Sequence, residues 1–134
     1  MRMRWVIVIL AAAVPGAILG CGASEAPRPA GAVTLLTGDP MGMGAQGGCY
    51  TYWATGPLSV DADAGTAIID QDANATRPEP VMWRPGYTAR RAGTEVEVLD
   101  PTGVVVATTG HTYQIAGGHV AGVFWACDFV RQVG

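Results

Sequence analysis

Glu95-Val96-Glu97-Val98-Leu99-Asp100-Pro101-Thr102-Gly103-Val104-Val105-Val106-Ala107-Thr108 is the stretch that decides the fold. Glu95 to Val98 alternates acid and valine with a period of two, which sets the valines on one face and the carboxylates on the other. Asp100, Pro101 and Gly103 hold the first, second and fourth places that a type I turn prefers. Val104 to Thr108, rich in β-branched residues, then returns as the partner strand.

The pattern continues in both directions. Toward the C-terminus, Gly110 permits a turn and residues 112–116 form a strand with Tyr113 and Ile115 on one face. Gly117-Gly118 is expected to break that strand. Val123, Trp125, Cys127 and Phe129 alternate along a final strand and are expected to face the core. Toward the N-terminus, Arg84-Pro85-Gly86-Tyr87 predicts a type II turn, with proline fixing the second position and glycine taking positive φ at the third. Residues 81–83 lead into it as an extended segment. Residues 66–69 and 58–60 are two more, split by Asp61-Ala62-Asp63-Ala64-Gly65. Cys49-Tyr50-Thr51-Tyr52-Trp53-Ala54 is an aromatic strand that Gly56-Pro57 is expected to end. Residues 70–79 are polar and predict a loop. Residues 38–48 hold five glycines and predict another. Seven or eight short strands separated by Gly, Pro and Asp turns make an all-β barrel or sandwich, and the meander over residues 95–116 favours a small barrel.

Residues 83–118 carry a resemblance. Trp83-Arg84-Pro85-Gly86-Tyr87-Thr88-Ala89-Arg90, Val96-Glu97-Val98-Leu99-Asp100, Gly103-Val104-Val105-Val106-Ala107, Gly110 and Gly117-Gly118 are similar to a pattern in small, uncharacterised actinobacterial lipoproteins. The resemblance implies an OB-like β-barrel of short antiparallel strands. Its motifs are turns and alternation, so it transfers no active-site residues. OB-like barrels often bind oligomeric ligands, which is analogy at the level of fold.

The N-terminus adds a location. Met1-Arg2-Met3-Arg4 is basic, and residues 5–19 are apolar apart from Pro15-Gly16, the layout of a secretory signal. Ile18-Leu19-Gly20-Cys21 resembles the lipobox of bacterial lipoproteins, which implies cleavage before Cys21 and a diacylglycerol on its thiol. The apolar run is short for a membrane span of about 20 residues. A diacylglyceryl group supplies the two chains that stable anchoring needs. The expected organisation is a signal peptide over 1–20, the lipidated Cys21 with a flexible tether to residue 32, and a β-barrel domain over 33–134. With Cys21 lipidated, Cys49 and Cys127 are left as an even pair in an oxidising compartment, and a disulfide is their simplest use.

Charge narrows the partners. Two of the eight basic residues, Arg2 and Arg4, precede Cys21, and none of the eleven acidic ones does. From Cys21 onward the chain therefore carries six positive against eleven negative charges, a net of −5. This repels phosphate backbones, so no nucleic-acid partner is expected. Nor is there a basic cluster for anionic lipids.

Chemistry is sparse. Ser24 and Ser59 are the only serines, with no G-x-S-x-G turn around either. His111 and His119 lie eight residues apart beside glycines and are taken as solvated loop residues. Asp61-Ala62-Asp63-Ala64-Gly65 begins like a calcium loop but has Gly65 where a ligand oxygen belongs, and Asp72 rather than Glu at the twelfth place. Met41 and Met43 with a histidine suit Cu(I), yet two methionines in a glycine loop are more simply apolar filler. Glu95 and Glu97 share an outward strand face, where charge guards against edge pairing. No cofactor, metal site or catalytic residue is assigned. Tyr50, Tyr52, Trp83 and Tyr87 are the candidate ligand surface, a stacking platform for an envelope glycan or protein. The expected function is a lipid-anchored envelope protein, extracytoplasmic at the cell membrane, with a non-enzymatic binding or accessory domain. The alternative is a small-molecule or metal (Ca or Cu) binding envelope protein.

Overall fold

The computed structural model describes residues 31–39 and 49–134. The signal segment, Cys21, most of the tether, Met41 and Met43 lie outside the described residues. The described chain is all-β, with nine strands. In order they are β1 (Ala32–Val33), β2 (Tyr52–Asp61), β3 (Gly65–Ile68), β4 (Glu79–Met82), β5 (Thr88–Ala92), β6 (Glu95–Leu99), β7 (Val105–Thr108), β8 (Thr112–Val120) and β9 (Val123–Gln132).

Two sheets form. One has the order β1-β5-β6-β7, antiparallel throughout. In the other, β2 pairs β3, β3 pairs β4, β4 pairs β9, β9 pairs β8, and β8 pairs back to β2, so the ladder closes on itself. The β4–β9 pair is parallel, with Val81 opposite Phe124 and Met82 opposite Trp125. The expectation of antiparallel strands alone is corrected there. Gly31 and Ala32 already bond to β5, through Gly31 O to Arg91 N and the Ala32–Arg90 pair.

The local turn chemistry holds. Asp100 O accepts from Gly103 N at 2.9 Å, its carboxylate caps Thr102 N and Val104 N, and Gly103 sits at φ 85°. Gly86 sits at φ 93°, with Tyr87 N bonded to Arg84 O. Val96 and Val98 are buried as their alternation requires, and Val98 packs in one cluster with Tyr113 and Ile115 from β8. Val98 and Ala107 of the first sheet share one apolar cluster with Leu58, Ile68, Val81 and Phe124 of the closed ladder. The two sheets thus bury a common core, and the energy of that burial scales with the apolar area removed from water.

Two glycine sites, Gly56-Pro57 and Gly117-Gly118, do not end strands. β2 runs through Gly56-Pro57: residues 52–57 pair with β8 and residues 58–61 pair with β3. Gly56 is needed because a Cβ there would lie 1.8 Å from Ile69 O. β8 likewise runs through Gly117-Gly118. A Cβ on Gly117 would meet Trp125 O at 2.1 Å, and one on Gly118 would meet the Tyr50 ring at 2.7 Å. In both places glycine marks the close approach of another part of the chain.

The facing of β9 is also corrected. Phe124 and Ala126 point into the core, whereas Val123, Trp125 and Cys127 are half-buried and Phe129 is exposed. The ladder to β8 pairs Gly117 with Ala126 and Ile115 with Val130. Cys127, Asp128 and Phe129 thus stand opposite Ala116 alone, a bulge of two extra residues. Cys49 and Cys127 are disulfide-bonded, with Cα atoms 5.8 Å apart. The strands they serve are not paired to each other, as the sequence suggests they should be. β2 and β9 flank β8 on opposite sides, and the bridge joins them beside Gly117-Gly118.

Candidate functional site

The four aromatics expected to form a platform go to different places. Trp83 has no solvent contact, donates from Nε1 to Thr66 Oγ1 at 2.9 Å and stacks on Tyr87 at 5.7 Å. Tyr87 is buried and donates its hydroxyl to Asp128 Oδ1 at 3.1 Å. Burial and the Asp128 carboxylate push that phenol up to about 12. Tyr50 lies half-buried over Gly118. Tyr52 is half-buried and donates to Asp70 Oδ2 at 2.6 Å. Trp83 and Tyr87 belong to the core, so the set does not make one exposed stacking face.

An exposed aromatic pair does exist, on other residues. Trp53 of β2 is 42 % exposed and Phe129 of β9 is 67 % exposed, with ring centroids 6.5 Å apart. The bulge puts Phe129 there, and it is held on both sides. Cys127 is fixed by the disulfide. Asp128 takes Arg84 Nη1 at 2.6 Å and the Tyr87 hydroxyl. Between the rings and the strand surface lies a groove of about 390 Å³ lined by Trp53, Gln114, Phe129, Val130 and Arg131. Arg131 donates to Gln114, so two planar polar groups border two aromatic rings. Exposed rings with a few oriented polar groups are how small ligand sites are commonly built. The sequence placed Phe129 inward because strict alternation takes no account of a bulge.

The second cluster centres on Asp70, which follows β3 and has a side chain with 0 % exposure. Its Oδ2 accepts from Tyr52 and from His119 Nε2, at 2.6 and 2.7 Å. Its Oδ1 accepts from Thr55 N at 3.3 Å and Asp72 N at 3.0 Å. Burial alone would raise its carboxyl, but these donors prevail and hold it below the usual carboxylate value. Tyr52 is pushed up to about 12, first by its bond to Asp70 and then by burial. His119, on the part of β8 beyond the glycines, also reaches Glu79 Oε2 with Nδ1 at 2.6 Å. Burial lowers His119, but its bonds to Asp70 and Glu79 outweigh this and raise it above the ordinary histidine value. Its ring packs edge-on against Tyr52 and Phe124, at 5.3 and 5.1 Å.

Both His119 nitrogens face carboxylates, so while the ring is protonated neither has a free lone pair to act as a base or a metal ligand. The Asp61 carboxylate is turned onto its own loop, where Oδ1 accepts from Asp63 N and Ala64 N at 2.9 and 2.7 Å. Among the described residues no group of three His, Cys, Asp or Glu is arranged to hold a metal ion. His111 is exposed in the turn before β8. Comparison of the chain with known protein families, with characterised proteins and with solved structures finds no match.

Proposed function

We propose that this chain is a lipid-anchored, extracytoplasmic lipoprotein whose β domain binds a component of the cell envelope without catalysing a reaction. The location is supported by the signal-like residues 1–20 and the lipobox ending at Cys21. It is supported again by the Cys49–Cys127 bridge, which suits an oxidising compartment and leaves Cys21 as the one thiol for lipid. An OB-like reading of the closed ladder, in line with the resemblance of residues 83–118, is supported by its five strands and by the excursion β5-β6-β7 between the third and fourth of them.

The observation that carries the binding role is the exposed Trp53–Phe129 pair on a bulge fixed by a disulfide and an ion pair. A surface held in place before binding loses little freedom on binding. Flat rings bordered by Gln114 and Arg131 match an envelope glycan, whose sugar faces stack on aromatics while its hydroxyls bond to amide and guanidinium groups. The test uses the full-length chain expressed in a bacterium. Wild-type protein should sediment with membranes, and Cys21→Ala should move it to the soluble envelope fraction. The soluble Cys21→Ala protein should bind isolated cell-wall polysaccharide, and Trp53→Ala or Phe129→Ala should weaken that binding about tenfold, roughly 1.4 kcal/mol. An unmodified Cys21 in the mature chain overturns the anchor. Equal binding by all variants overturns the aromatic site.

A further inference from the structure

A neutral imidazole carries one N–H, yet His119 places Nε2 at 2.7 Å from Asp70 and Nδ1 at 2.6 Å from Glu79. Two ionised acceptors at hydrogen-bond distance require two donors, so the ring is an imidazolium in this arrangement. The three residues come from different parts of the fold. Asp70 follows β3, Glu79 opens β4, and His119 lies near the end of β8. Between the first two, residues 71–78 loop outward beside a cleft of about 490 Å³ lined by residues 74–80 and Gly122.

The two carboxylates are not equally fixed. Asp70 has no exposure and three further donors, from Tyr52, Thr55 and Asp72. The Glu79 side chain is 20 % exposed, and His119 is its partner among the described residues. The loop that Glu79 closes is tied near its start, by Ala75 N to Asp70 O at 2.9 Å and Asn74 N to Gln71 O at 3.1 Å. Residues 76–78 add no backbone hydrogen bond among the described residues. The other groups packed on the ring are Tyr52, whose hydroxyl is committed to Asp70, and the uncharged Phe124. Asp72 stands beside Asp70 in the loop, and Arg77 lines the cleft.

We propose that Asp70, His119 and Glu79 form a proton-operated latch on this cleft. When His119 loses its proton, Asp70 keeps the remaining N–H at Nε2, and the Nδ1 lone pair then faces the Glu79 carboxylate. Two acceptors at 2.6 Å repel, so the Glu79 side chain, the carboxylate with access to water, swings out and the 76–78 wall of the cleft is released, while β3 keeps the backbone of Glu79 and Pro80 in place. The device responds to the pH outside the cell and does not depend on what the Trp53–Phe129 groove binds.

The experiment is an NMR titration of the folded Cys21→Ala protein from about pH 5 to pH 9, a window that spans histidine titration. The ring signals of His119 should titrate above the ordinary value of about 6.5. The backbone amides of Arg77, Glu79 and Gly122 should shift with the same midpoint. Glu79→Ala should lower the His119 midpoint by about one unit, the size expected for losing one nearby opposite charge. It should also uncouple the three amides from His119. A His119 midpoint at or below about 6.5, or cleft amides that ignore it, overturns the latch. The wild-type titration alone decides if the variant does not fold.

Discussion

Asp70 receives four hydrogen bonds in a side chain that touches no solvent. Asp70→Ala leaves a tyrosine hydroxyl, an imidazolium and two backbone N–H groups without their acceptor, which should cost about 3 kcal/mol in urea unfolding. The pH profile follows from the two shifts. Asp70 is lowered in the fold, so its contribution is present above its unfolded value and is lost as pH falls through the folded one. His119 is raised, so its contribution is complete below the unfolded value of about 6.5 and is lost as pH rises through the folded one. The urea midpoint should therefore decline on both sides. His119→Gln should flatten the alkaline limb, and a limb of unchanged slope would remove His119 as its source. None of this cluster was legible in the sequence. Its members lie 18, 40 and 49 positions apart, and only strand pairing brings them together. His119 reads as a loop residue only if Gly117-Gly118 ends β8, and it does not.

Turns whose chemistry lies within four residues were legible, and strand facing across a bulge was not. At Asp100-Pro101-Thr102-Gly103 the capping carboxylate, the proline and the glycine are all local, so the β6–β7 hairpin forms where the pattern places it. Gly103→Val should cost about 1–2 kcal/mol through backbone strain alone, since Gly103 holds positive φ in open space. Gly103→Asn should cost less, because asparagine tolerates that region. An equal loss for both would point away from φ as the cause. Gly117→Ala tests the opposite situation. Its backbone needs no positive φ, but its Cβ would strike Trp125 O and the Phe124 ring. The strands must part to admit it, and the melting temperature should fall further than for Gly103→Val, by an amount equivalent to about 3 kcal/mol. Close approach at Gly117, and likewise at Gly56, explains the misread strand ends. Sequence shows that a side chain is missing, but not that another strand occupies its place.

At the scale of the molecule the disulfide does two things. It closes a loop between positions 78 apart, which by loop entropy alone is worth up to about 4.5 kcal/mol against the unfolded chain. It also fixes the first residue of the β9 bulge beside β8, while Asp128 is held from the other side by Arg84 and Tyr87. That both cysteines pair was legible from their number and the compartment the sequence led us to expect. Where the bridge runs was not, because β2 and β9 meet across β8 rather than edge to edge. The two roles separate experimentally. Reducing and alkylating the folded domain, or changing Cys49 and Cys127 together to Ala, should lower stability by a few kcal/mol while leaving the ladders intact, since the Val98–Phe124 core does not contain the bridge. Under conditions where the reduced domain remains folded, the bulge loses one of its two anchors. Trp53 fluorescence should then shift, and the groove beside Phe129 should bind polysaccharide more weakly. If Trp53 emission and polysaccharide binding are unchanged while stability falls, the bridge acts only on the unfolded chain and Asp128 alone holds the aromatic face in place.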